Sequence, residues 1–388
     1  MKKLKLMMAI ALAGSTPLQS IYAAETVGEA LKASTVFGDF RLRYEDVEAG
    51  DNSSDGLTLR SRLGFKSDKL NGFSATLELE DVRNVLAIDD EGNLIPDPQV
   101  TEIDQGFIQY QADDYTAKLG RQVIALDGQR FVGHVGWRQD RQTFDAFRAQ
   151  LSPIDKLTVD ISYIYKRNRI FAEDKDADAS DVLLNSAYST PLGKVVGYAY
   201  LLDDDELDTQ SDTYGLSLAG ASAGELAFSY LLEFASQSIA LGAADYDTEY
   251  RLIELGARFS AYTAKLGYEV LGSDDGEASF TTPLATLHKF NGWNDIFLGG
   301  TFNPTAMPNG LEDSYVSLAT TVSGAAVVAV FHDYSSDNGS SDYGTEAGLL
   351  VSRSYKNGVS VGMKYSTYKA DDFAADSDKL WLWSGYKF

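Results

Sequence analysis

The chain has 388 residues, 57 of them acidic and 33 basic, for a formal net charge of −24. So strong an acidic balance excludes nucleic acid as a partner, and the lack of any cysteine excludes a disulfide scaffold. Glycine (34), tyrosine (22) and phenylalanine (19) are plentiful and proline (8) is scarce, which suits many strands with an aromatic girdle, although a soluble β-helix or sandwich shares that composition.

From the N-terminus, Lys2, Lys3 and Lys5 form a basic stretch, Leu4 to Ala13 an apolar run, and Ile21-Tyr-Ala-Ala24 a small-residue cleavage site. Residues 1–23 are therefore expected to be a secretory signal peptide, cut after Ala23 or Ala24. The apolar run is too short to span a bilayer, and no later stretch is long and apolar enough for a transmembrane helix. Residues 24–34 are read as a short periplasmic tail or helix, and 35–388 as one domain without a linker.

Strands of about ten residues fill the rest, the length a tilted membrane-crossing strand requires. They are predicted at 35–45, 56–66, 72–83, 102–111, 114–123, 143–151, 156–166, 181–189, 194–202, 212–219, 224–235, 247–259, 261–271, 312–322, 325–334, 343–354, 358–369 and 379–388. That is about eighteen, with sixteen as the lower bound. Within them apolar and polar residues alternate at period two. In the second strand Leu57, Leu59, Leu63 and Phe65 share one face, and Thr58, Arg60, Arg62 and Gly64 the other. In the third, Phe73, Ala75, Leu77 and Leu79 lie opposite Ser74, Thr76, Glu78 and Glu80. Arg or Lys at mid-depth on a lipid face costs about 2–4 kcal/mol, so the charged faces are expected to line a lumen.

The connections alternate between long and short: 46–55 against 67–71, 84–101 against 112–113, 124–142 against 152–155, and 167–180 against 190–193. Outer-membrane barrels sort their connections this way, with short periplasmic turns and long external loops, and a soluble sandwich has no reason to. The fold expected is an all-β, transmembrane antiparallel β-barrel. The acids gather in the long connections, as in Glu45-Asp46, Asp89-Asp90-Glu91, Asp203-Asp204-Asp205-Glu206 and Asp371-Asp372. A solvated loop surface is the plainest account of such runs. Bridging to lipopolysaccharide through divalent cations, or repulsion of anions at the mouth, is the functional one. None has the spacing or turn glycine of a calcium loop, so no metal site is assigned.

The arginines behave differently: twelve of fifteen lie between Arg41 and Arg169. Arg41 and Arg43 share a face of the first strand, Arg60 and Arg62 the lumen face of the second, and Glu78 and Glu80 return on the third within about one cross-strand step. Arg121, Arg130, Arg138, Arg141 and Arg148 follow. Arginine stays charged and grips carboxylates two-pronged, and rings of Arg or Lys make anion-selective pores. An inward Arg–Glu ladder that merely satisfies a polar lumen is the structural alternative. Residues 118–148 read KLGRQVIALDGQRFVGHVGWRQDRQTFDAFR, with a loop whose glycines, tryptophan and arginines suggest a path folded into the lumen.

Leu119-Gly120-Arg121-Gln122, Asp127-Gly128 with Arg130, Gly136-Trp137-Arg138-Gln139 and Thr143-Phe144-Asp145 resemble the alginate-export family of outer-membrane porins. His288-Lys-Phe-Asn-Gly-Trp-Asn-Asp-Ile-Phe297 is similar to that family's second segment. The resemblance implies an eighteen-stranded barrel, monomeric, that passes anionic polysaccharide through an arginine-lined constriction. By the same resemblance Arg121, Arg130, Arg138 and Asp145 are constriction residues. The chain is shorter than dedicated alginate exporters and its rim is acidic, so small acidic sugars or other small anions fit as well as polymer.

The last strand, Trp381-Leu-Trp-Ser-Gly-Tyr-Lys-Phe388, carries Leu380, Leu382, Tyr386 and Phe388 on one side. Closing it on the first strand leaves no edge in lipid, and a terminal Phe after alternating apolar residues resembles the signal read by the barrel-assembly machinery. His134, His288 and His332 have no second His or Cys at ligand spacing, so zinc or iron is not expected. Nothing marks a nucleophile, a phosphate loop or a cofactor motif. The function expected is therefore not enzymatic: a porin in the outer membrane of a Gram-negative bacterium, passing small anions. A general porin of weak selectivity, or a barrel serving as adhesin or scaffold, are the alternatives.

Overall fold

The structure, a computed structural model, describes residues 24–90, 94–204 and 209–388. The expected signal peptide, residues 1–23, lies outside the described residues, as do Glu91, Asp205 and Glu206 of the acidic runs.

Eighteen strands form one closed antiparallel sheet. They are β1 (Thr35–Ala49), β2 (Asn52–Lys66), β3 (Phe73–Asp90), β4 (Val100–Gln111), β5 (Tyr115–Gln122), β6 (Thr143–Ile154), β7 (Leu157–Asn168), β8 (Ala177–Thr190) and β9 (Gly193–Asp204). The second half comprises β10 (Thr209–Ala221), β11 (Leu226–Leu241), β12 (Ala244–Phe259), β13 (Tyr262–Leu271), β14 (Leu311–Val322), β15 (Ala325–Ser335), β16 (Asp342–Ser354), β17 (Val359–Lys369) and β18 (Ser377–Lys387). Each strand pairs with its sequence neighbours, and β18 closes on β1 from Asp39↔Lys387 to Ala49↔Ser377. Phe388 and Gly38 then exchange two backbone hydrogen bonds of 3.1 Å, so the ladder ends on the terminal aromatic. Among the described residues no helix is long and apolar enough to cross a membrane. Helix α1 (Val27–Lys32) has a Thr26/Glu29 capping box and lies against the first short turn, where Asp68 donates to Ala30 O at 3.1 Å.

The sheet is apolar outside and polar inside. Leu63, Leu79, Ile108, Leu216, Leu255 and Leu266 are exposed on the outer face, while Arg43, Glu45, Thr58, Arg60, Arg62, Glu78 and Glu80 are buried inside. Toward the short-turn end Phe73, Tyr188, Phe228, Phe259, Tyr262 and Tyr386 stay exposed, a belt of amphipathic rings at one membrane interface.

The strands overrun their predicted ends on the long-loop side. The acidic stretch 46–55 is not a loop: β1 and β2 stay in register to Ala49↔Asn52. Period-two alternation marks only the part that crosses lipid. Beyond it the ladder continues because backbone N–H and C=O groups still need partners. Two long connections do the opposite and enter the barrel. Residues 123–142 and 272–310 meet at the Val132↔Leu284 bridge, where Gly133 N donates to Leu284 O at 2.8 Å. Around it Phe131 packs on Tyr198, Tyr250 and Phe280 at 5.2, 5.1 and 5.9 Å between ring centroids. The first of these loops was anticipated to turn inward; the second was not.

Candidate pore site

The inward loop 123–142 is held to the wall chiefly by Arg41 and Arg43 of β1. Arg41 donates through Nε to Gln139 Oε1 at 2.9 Å, and through its terminal nitrogens to the backbone oxygens of Gly136, Trp137 and Arg138 at 3.2, 2.7 and 2.6 Å. All four acceptors are neutral, and among the described residues no carboxylate lies within ion-pair distance of Arg41. Arg43 donates to Trp137 O and pairs with Asp97 and with Glu45, the latter at 3.2 Å. Across the β1–β2 ladder Arg60 pairs with Asp39 at 2.7 Å. Arg62 pairs with Glu80, its expected neighbour on β3, and with Asp104 at 3.3 Å.

From the loop itself, Arg138 donates to both oxygens of Glu45, at 2.9 and 3.0 Å, and reaches Asp295 at 3.3 Å. Burial opposes the charge on Arg138, but Glu45, Asp97 and Asp295 more than offset this and raise its pKa above the ordinary value. Arg141 bridges Asp104 and Glu78 at 2.5 and 2.6 Å. Arg130 sits further round, paired with Glu269 at 2.6 Å and stacked over Phe290 at 4.9 Å. Arg148, on β6, makes a two-pronged contact with Asp160 at 3.0 and 2.6 Å. That pair opens on a cavity of about 300 Å³ near the short-turn end, lined also by Asn185, Gln150, Lys156 and Lys194.

Arg121 and Asp145 do not join this group. They are register partners on β5 and β6, and Arg121 Nε donates to Asp145 Oδ1 at 2.8 Å. Phe144 and Ala146, which flank Asp145, are fully buried inside, so the pair shares the outward face with Leu119. A one-residue shift in strand phase exchanges the faces, and the local sequence around Gly120 masked it. The other ten residues expected at the constriction, Arg41, Arg43, Arg60, Arg62, Glu78, Glu80, Arg130, Arg138, Arg141 and Arg148, are all on the inner side.

The sequence reading missed the second half of the site. In loop 272–310, His288 Nδ1 contacts Asp295 at 3.0 Å while His288 Nε2 meets Lys364 Nζ of β17 at 2.9 Å. Lys364 sits over Trp137 at 3.7 Å, Trp293 at 4.6 Å and Trp381 at 5.6 Å, so three tryptophans enclose one ammonium group. Burial, with Lys364 and Arg138 beside it, drives His288 well below its ordinary value despite Asp295. Burial acts against the Asp295 charge, yet contacts with His288, Lys379 and Arg138 overcome it and hold the carboxyl below the usual range. Neutral His288 thus donates from Nδ1 and accepts from Lys364 at Nε2. Gly292, at φ +86, permits the turn that lets Trp293 N and Asn294 N both donate to Glu346; a Cβ there would stand 2.3 Å from Glu346 Oε2. The Asn-Gly-Trp run was a visible signal for this turn. The partner acids Asp97, Asp104 and Asp295 gave none, being isolated in sequence.

A model of the alginate export family matches residues 33–271. No curated protein sequence matches the chain. Among solved structures it is similar to Pseudomonas aeruginosa OpdK, crystallised with vanillate, at 12% identity and a TM-score of 0.73, covering 92% of this chain and 99% of that one. It is similar to P. aeruginosa OccK9 (OpdG) at 15% identity and TM-score 0.72, with the same shares, 92% and 99%, of the two chains covered. The likeness extends to Acinetobacter baumannii OccAB4, at 14% identity and TM-score 0.69, covering 91% and 98%. At these identities the shared property is the barrel itself.

Proposed function

Since this chain belongs to the alginate export family, and is thus an outer-membrane porin of a Gram-negative bacterium, we propose that it passes small anionic solutes, acidic sugars or alginate-like oligosaccharides, by diffusion past the arginines of β1, β2 and the first inward loop. The observation that carries this reading is Arg41. Its guanidinium is spent on neutral acceptors, so a full positive charge remains beside the narrowed lumen. Arg43, Arg60 and Arg62 lie near it, and these three, with Arg138 and Arg141 of the inward loop, are fixed by carboxylates, Glu78 and Glu80 among them. The meeting of the two inward loops favours small solutes over a polymer, and a cavity of about 300 Å³ is of the size that holds one small ligand. Vanillate, named with OpdK, is likewise a small carboxylate.

In this reading the role is transport, not catalysis, in a monomeric barrel exported by its signal peptide, folded by the assembly machinery through the Phe388 strand and set among lipopolysaccharide. The test is electrical and osmotic. Reversal potentials in planar bilayers under a salt gradient should shift toward the anion, and liposomes should swell faster in a uronate than in the matching neutral sugar. Equal swelling, with no shift, would favour the second reading, a general porin with a structural ion-pair ladder, for which the near-complete pairing of the other arginines speaks.

A further inference from the structure

Glu80 and Glu102 face each other directly across the β3–β4 ladder. Like charges placed opposite one another destabilise a sheet. Asp140, carried in by the first inward loop, adds a third carboxylate, and one oxygen of each group lies within 4.8 Å of the others. Glu80 and Asp140 are 1% and 0% exposed, so water cannot screen them.

The cations nearby are already engaged. Arg62 pairs with Glu80 and Asp104, and Arg141 with Glu78 and Asp104. Glu78, Glu80 and Asp104 therefore share two guanidinium groups, and neither Glu102 nor Asp140 has an ion-pair partner among the described residues. Ala172 N donates to Asp140 Oδ2 at 3.1 Å. Asp140 Oδ1 and Glu80 Oε1 are fully buried with no donor among the described residues. A buried acceptor left without a partner is costly, more so when charged.

We propose that Glu80, Glu102 and Asp140 form a binding site for a divalent cation of the hard, oxygen-preferring class to which Ca²⁺ belongs. All donors are carboxylate oxygens, the set that suits Ca²⁺ and not zinc or copper, which favour nitrogen and sulfur. Glu102 is only partly buried. The ion cross-links the barrel wall to the loop that narrows it, one residue from Gln139, whose backbone oxygen accepts from Arg62 at 3.1 Å. Cation binding thus fixes the constriction loop in place. The three residues sit on separate elements, so no spacing motif announces them.

The test uses the full chain in detergent, stripped with EGTA and titrated with Ca²⁺ by calorimetry, alongside E102Q and D140N. The wild type should bind one Ca²⁺ that both variants lose or hold about tenfold or more weakly, and only the wild type should gain Tm on adding Ca²⁺. In EGTA, E102Q should melt above the wild type, because the Glu80–Glu102 repulsion is gone; in Ca²⁺ the order should reverse. That crossover keeps the test informative if D140N does not fold. A wild-type Tm indifferent to Ca²⁺ would mean that protons alone neutralise the trio, and overturns the proposal. Equal Ca²⁺ uptake by all three proteins, the mark of binding to the acidic outer hairpins only, overturns it as well.

Discussion

Arg41 and Arg60 stand directly opposite each other on adjacent strands, two guanidinium groups facing across one rung of the β1–β2 ladder. Their resolution is unequal. Arg60 takes Asp39 at 2.7 Å, whereas Arg41 takes only neutral oxygens from Gly136, Trp137, Arg138 and Gln139. A repulsive pair is tolerated because one member anchors the inward loop, and under the proposed function the charge so retained is what favours anions.

Replacing Arg41 with Gln should therefore weaken selectivity more than a change at a paired arginine. In a wet lumen one charge a few ångströms from the permeant ion is worth about 1 kcal/mol, roughly a fivefold fall in the anion-over-cation permeability ratio. Lys at this position keeps the charge and loses most of the carbonyl contacts, so Arg41→Lys should hold the reversal potential while raising open-channel noise. An Arg41→Gln channel as anion-selective as the wild type would reject the assignment.

Lys364 is the matching lock on the second loop. Met in its place keeps the stem and removes the ammonium from its cage of Trp137, Trp293 and Trp381. About 2 kcal/mol of desolvated cation–π attraction is lost, together with the contact to His288. Differential scanning calorimetry should register a lower Tm, and single-channel records should show added flicker as residues 272–310 loosen. An unchanged melt and a quiet trace would mean that the cage holds nothing.

His288 makes loop docking sensitive to acid. Its folded pKa lies well below the ordinary 6.5, so the folded protein binds fewer protons than the unfolded one at lower pH. Stability from this group is complete above about 6.5 and falls as pH drops below it, by about 1.4 kcal/mol per unit until the folded value is reached. Lys364 meets the ring at Nε2 and Asp295 at Nδ1, and Arg138 and Lys379 contact that same Asp295. Comparing denaturant midpoints at pH 7.5 and 5.5, His288→Asn should lack this component of the loss. Identical pH profiles for the two proteins would count against it.

Gly358 governs the last short turn, which joins β16 to β17. At φ +87, a Cβ would stand 2.0 Å from Lys387 O, the strand that closes the barrel. Gly358→Ala should lower the folded fraction seen by heat-modifiable mobility on gels, whereas Asn357→Ala, at the exposed neighbour, should change it much less. Full folding of the alanine variant would show that the turn relaxes freely.

Much of the fold was legible because lipid imposes a local rule. Alternation at period two, strands long enough to cross, and sorted connections follow from the need to satisfy every backbone group without an edge. Those features located all eighteen strands, and the Arg62–Glu80 pairing came with them. The overrun of β1 and β2 beyond the membrane was hidden, since a hairpin in water has no lipid face to mark it.

The site was legible only in part. Which arginines point inward followed from alternation on β1 and β2, but at Arg121 and Asp145 a break around Gly120 concealed the strand phase, and the pair faces out. The amino-acid sequence by itself determined a membrane barrel with a charged interior, because face and period are properties of consecutive residues. Only the tertiary structure decided which charges meet. Asp97, from the β3–β4 connection, reaches Arg43, Asp295 reaches Arg138, and Asp140 joins Glu80 and Glu102 inside a closed cylinder, contacts set by the path of the connecting segments through the lumen and not by any spacing along the chain.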